Sequence, residues 1–205
     1  MDVFGVPIGI LHALVVEEHS GIVVFVMAAL VVRILTDLVA RSPTPSSRVQ
    51  SIRQGSDVIG YAGSFAAVVF LIISGVTGYY IQPYSLLITS AILVNKSLTA
   101  LAALFFWLAY FLVRFWAGPG LWQKRGLYAV EIVTALLGTF FTAIAGSIGA
   151  ELSLGQSALE PVYKMLGFSW KTFLVTPLDV ELTTGLVVVG VLVAFLFPSR
   201  KAKPS

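Results

Sequence analysis

His12 and His19 are the only imidazoles in this sequence of 205 residues. Seven residues turn an α-helix through about 700° and lift it by about 10.5 Å, so both rings leave one helix face two turns apart. One metal ion cannot reach both, because paired helical zinc ligands sit three or four residues apart. Two haem b groups stacked along a helix bundle, each held by one imidazole, suit this spacing. There is no third histidine, and Met1, Met27 and Met165 are poorly spaced to serve as opposing ligands. The sixth ligand would then come from a second subunit, or the iron would stay five-coordinate. The plainer reading makes both histidines polar residues of the outer membrane interface, bonded to Glu17, Glu18 or backbone. The absence of cysteine excludes disulfides, iron–sulfur clusters, thiolate metal sites and a thiol nucleophile.

His19 with Glu17 and Glu18 also forms a weak nitrogen–oxygen donor set for a borderline divalent ion, and Glu151, Asp179 and Glu181 are expected on the same rim. Inside the apolar stretches, Lys96, Asn95 and Glu131 stand out. An ionisable side chain in hydrocarbon costs about 2.5 to 3.5 kcal/mol on insertion scales and is retained mainly where something pairs with it. With 1.5 Å per residue, Lys96 and Glu131 are expected at depths only several ångströms apart, which predicts an intramembrane pair. No phosphate loop, GxSxG elbow, HExxH or dinucleotide fingerprint occurs. The chain therefore carries no catalytic constellation of its own.

These residues must be positioned by membrane helices. Only 11% of the chain is charged and 58% is hydrophobic, where a soluble domain carries about 25% charged residues. The expected fold is a single all-α polytopic bundle of five spans, at about 20–39, 58–80, 86–116, 127–150 and 180–197. Residues 41–57, rich in Pro, Ser and Arg, are expected as an exposed cytoplasmic linker. The segment 151–177 is expected outside, its aromatics Tyr163, Phe168, Trp170 and Phe173 making it an interfacial helix or a docking lid. The start, MDVFGVPIGIL, lacks a basic n-region and a cleavage site, so it is expected to be retained.

Orientation follows from the cations, which are held on the cytoplasmic side during insertion. With the N-terminus outside, ten of the 13 Lys and Arg residues fall in inner segments: Arg33, Arg41, Arg48, Arg53, Arg114, Lys124, Arg125, Arg200, Lys201 and Lys203. An odd number of spans brings the basic C-terminus into the cytoplasm, and the expected location of this multi-pass chain is the plasma membrane. Topology accounts for the net charge of +3, so nucleic acid is not an expected partner. Gly138, Thr142, Gly146 and Ala150 recur every four residues, a small-residue stripe suited to packing against other membrane subunits, with lipid elsewhere. Trp107, Tyr110, Trp116 and Trp122 are expected to anchor span three among headgroups.

The stretch LHALVVEEHSGIVVFVMAALVVRILTDL resembles the N-terminal histidine motif of a prokaryotic membrane-protein family designated domain of unknown function 2231. GYAGSFAAVVFLIISGVTGYY, SLTALAALFFWLAYFLVRF and TFFTAIAGSIGAELSLGQS are similar to its later elements, covering residues 8–157. The resemblance implies a four-helix membrane core with haem or redox association, carried over to His12 and His19 alone. The chain departs from the family where Asn95 stands in place of a further histidine and where a fifth helix is added. Two functions are expected from these residues. One is a structural or haem-linked electron-transfer subunit of a larger membrane oxidoreductase or monooxygenase-type complex. The other is a small transporter or channel using Lys96 and Glu131.

Overall fold

The computed structural model describes residues 2–3, 5–39, 46–157, 159–167, 169–174, 176 and 178–185. A two-residue antiparallel pair, β1 (Asp2–Val3) with β2 (Val6–Pro7), leads into helix α1 (Ile8–Val39). Then follow α2 (Ser47–Ile81), the short α3 (Tyr84–Thr89), α4 (Ala91–Ala117), a 3₁₀ stretch (Gly118–Gln123), α5 (Arg125–Leu154) and the short α6 (Glu160–Met165). Four helices, α1, α2, α4 with its 3₁₀ extension, and α5, are long and apolar enough to cross a membrane. In hydrocarbon a helix is the form in which a single segment satisfies every backbone polar group internally, which overrides the weak helix propensity of these Val- and Ile-rich runs.

The boundaries have local causes. The Ser46 hydroxyl accepts from the Val49 N–H at 3.3 Å and starts α2. Gln82 and Pro83 end it. Gly118 at φ +61° followed by Pro119 stops α4, and Gly155 at φ +72° closes α5 in the left-handed region. Three expected boundaries are corrected. Helix α1 runs unbroken from Ile8 rather than from residue 20, so His12 and His19 share one rod. Residues 47–57 are helical rather than an open linker, because the acid and arginine side chains there find partners on other helices. Span three is interrupted at Ser90, and its long helix begins only at Ala91. Residues 178–185 are helical, and the rest of the expected fifth span lies outside the described residues.

Helix α1 packs along α2 and α4 along α5, while α2 meets α4 and α1 meets α5. Val23, Val26, Leu30, Ala67, Val68, Trp107, Tyr110 and Ala135 form the shared core. Close approach is required there: a Cβ on Gly63 would lie 2.6 Å from Val26 Cγ2, and one on Gly138 would lie 3.0 Å from Trp107 Cε2. Val24, Phe25, Phe65, Phe105, Val133 and Phe140 point away from the bundle and are more than half exposed, a pattern costly in water and natural against lipid. Trp107 and Tyr110 are buried core residues instead of headgroup anchors, since Gly138 leaves room for the indole and Thr142 accepts from its Nε1 at 3.2 Å. The outward face is otherwise as the apolar composition requires.

A candidate histidine site and a buried charge cluster

The polar interior divides between the two ends of the bundle. At one end both histidines of α1 face α2. The Thr77 hydroxyl donates to the Ile73 carbonyl at 2.9 Å, so at the His12 contact, 2.9 Å from Nδ1, it can only accept. His12 is therefore assigned the Nδ1–H tautomer. Its ring lies over Gly78, where a Cβ would come within 3.2 Å of Cε1. His19 is 4% exposed and its Nδ1 is 3.1 Å from the Ala67 carbonyl. A carbonyl only accepts, which assigns the proton to Nδ1 here too. His19 Nε2 is left as a buried lone pair with no hydrogen-bond partner among the described residues. Glu17 and Glu18 are exposed, turned away from the buried His19 as successive helical residues must be. Among the described residues no group of three or more His, Cys, Asp or Glu side chains converges as metal ligands.

Lys96, Asn95 and Glu131 do not form one group. Lys96 lies within electrostatic reach of His12, and a Cβ on Gly149 would stand 3.7 Å from its Nζ. Glu131 is five turns back along the same helix from Gly149, about 27 Å at 1.5 Å per residue. The expected pair fails because α4 begins at Ala91, which leaves Lys96 close to that helix's end. Asn95 is a fastener: its Nδ2 donates to the Trp170 and Thr172 carbonyls at 3.0 and 2.8 Å, and its Oδ1 accepts from the Leu174 N–H at 3.2 Å. These bonds seat the 169–174 segment so that its Trp170 packs with Ile148 and Tyr163. Glu151 joins the same cap, accepting from the Tyr163 hydroxyl at 2.6 Å and lying 3.7 Å from Lys171 Nζ. That carboxylate pushes the Tyr163 phenol up to about 12.

The other end holds a network that composition alone did not reveal. Asp37 lies 3.1 Å from Arg33 Nε and 2.7 Å from Arg53 Nε. Asp57 accepts from Arg114 through both oxygens and from the Trp122 indole N–H, with Arg33 at 4.0 Å. The Arg33 guanidinium stacks 4.4 Å from the Trp122 ring centre, and that of Arg114 lies 5.7 Å from the ring of Tyr61. Glu131, from α5, is fully buried beside Arg114 and Asp57, and neither of its oxygens has a hydrogen-bond partner among the described residues. The sequence carried a signal for this cluster: Asp37 and Asp57 are acids among the cations, and Arg33 and Asp37 share a helix face at i, i+4.

Within the small-residue stripe, Gly138 and Thr142 are occupied by Trp107 of α4, whereas Gly146 is exposed with nothing within 4 Å of a Cβ. Ala150 lines a shallow surface depression with Leu154, Gln156, Pro161 and Lys164. Comparison of the chain with known protein families, with curated proteins and with solved structures finds no match.

Proposed function

We propose that this chain is an integral, multi-pass subunit of a plasma-membrane oxidoreductase or monooxygenase-type complex, holding haem b through His19, with His12 as a second ligand position. It has five spans, an external N-terminus and a cytoplasmic C-terminus. The observation that carries the reading is the state of His19: Nδ1–H held by a backbone carbonyl, Nε2 bare and buried. Metal-bound imidazoles commonly have this arrangement, in which the second-shell acceptor fixes the tautomer and raises the basicity of the ligating nitrogen. An unprotonated imidazole nitrogen is the donor type a haem iron takes, and haem when bound supplies one-electron redox chemistry; because Nε2 is buried, its binding would require α1 and the helices around it to part.

Partner subunits are expected at the open part of the α5 stripe around Gly146 and Ala150, since Gly138 and Thr142 are already used within the chain. The test is the visible spectrum of the protein purified in mild detergent. A Soret band that disappears in His19→Ala and weakens in His12→Ala is the expected result. Colourless protein from haem-replete cells, or a band indifferent to both substitutions, sinks the reading.

A further inference from the structure

We propose that Glu131 is an exchangeable proton-binding site, a carboxyl that takes up and releases a proton at the arginine-lined end of the bundle. It stands independently of the haem reading and uses none of its residues.

The charge arithmetic around Glu131 comes first. Arg33, Arg53 and Arg114 bring three positive charges, and Asp37 and Asp57 bring two negative ones. Both aspartates are in direct ionic contact with those arginines, and Asp57 also accepts from the Trp122 indole N–H. One positive charge is left over, and Glu131 is the remaining carboxyl within its field. Ionised, Glu131 balances the cluster. Protonated, it leaves an excess positive charge that the Trp122 and Tyr61 ring faces already help to hold.

A carboxylate bridged directly to an arginine is locked in its charged form, because removing the charge would strand the partner. Glu131 is not bridged by any described residue: both oxygens are buried and have no hydrogen-bond partner among the described residues. The groups facing it are Tyr110 and Arg114 from α4 and Asp57 from α2, with Arg33 of α1 completing the cluster and Tyr128 one turn earlier on its own helix. The cluster also reaches water. Arg53 has a side chain 36% exposed, whereas those of Asp37, Arg33, Asp57 and Arg114, which it joins in an unbroken chain of ionic contacts, are 6 to 19% exposed. That chain is a polar path from the aqueous edge to Arg114, beside the buried Glu131 carboxyl, and reversible protonation needs such access.

Dicyclohexylcarbodiimide tests this directly, because the lipid-soluble reagent adds to protonated carboxyls in apolar surroundings and the adduct is located by peptide mass spectrometry. In the folded full-length protein in detergent, the adduct is expected on Glu131. Its yield should fall about tenfold for each pH unit above a single midpoint. Asp57→Asn releases Arg114 to hold Glu131 as a carboxylate, so the variant should be labelled less than wild type at every pH. No adduct on Glu131 in folded protein, a yield independent of pH, or equal labelling of folded Asp57→Asn overturns the proposal. Should that variant fail to fold, the wild-type pH profile decides alone.

Discussion

A histidine whose Nδ1 is committed to an acceptor has one nitrogen left to offer, and at His19 that nitrogen is sealed inside the bundle. The common face of His12 and His19 could be read from their spacing, since two helical turns suffice. The tautomers could not, because the acceptors Thr77 and Ala67 stand on another helix 65 and 48 residues away. The same holds for Glu131: its apolar neighbourhood was visible in the sequence, but its true neighbours, Arg114 and Asp57, were not, because heights along a helix depend on where the helix begins. Tyr163 gives a prediction at this scale. Its phenol, donating to Glu151, is pushed from the ordinary value near 10 to about 12. The neutral phenol is the favoured form in the fold, so this contribution is fully present below about pH 10 and is lost as pH rises through about 12. In the tyrosinate absorbance titration, the wild-type minus Tyr163→Phe difference should show one late-titrating tyrosine, and Glu151→Gln should move it to lower pH. A difference curve centred near the ordinary tyrosine value counts against the bond.

Among the elements, the cap over the histidine end hangs largely on one side chain. Asn95 makes three hydrogen bonds to the backbone of 169–174, and truncating it leaves two carbonyls and an N–H to find water. Asn95→Ala is expected to loosen this segment by about 1–3 kcal/mol. Tryptic cleavage after Lys164 and Lys171 in the folded protein should accelerate, with the thermal unfolding signal of the four long helices little changed. Cleavage at the wild-type rate would show that Tyr163 and Trp170 seat the cap without it. The existence and order of the four long helices were legible, since each exceeds the length hydrocarbon demands. Their ends were not. The polar cluster at Glu17 reads as a boundary, yet α1 passes through it because both acids lie on its exposed side. Ser90 gives no strong breaking signal, yet it separates α3 from α4.

For the whole molecule, the cation distribution predicts a topology that single cysteines can report, as the chain has none of its own. With an impermeant maleimide on intact cells, Gln156→Cys should be labelled, whereas Ser47→Cys and Ser205→Cys should react only after lysis. Labelling of position 47 from outside would invert the orientation, and labelling of position 205 from outside would replace five spans by an even number. The bundle places its charged groups toward its ends, with Val26, Trp107 and Ala135, all fully buried, in the core between Glu131 and His12. That middle layer acts as a dielectric partition. Ions do not cross such a barrier readily, but an electric field does, and a low dielectric weakens it little. A proton gained at Glu131 would shift the potential felt at the histidines without any side chain moving, so the two ends can be coupled by voltage alone.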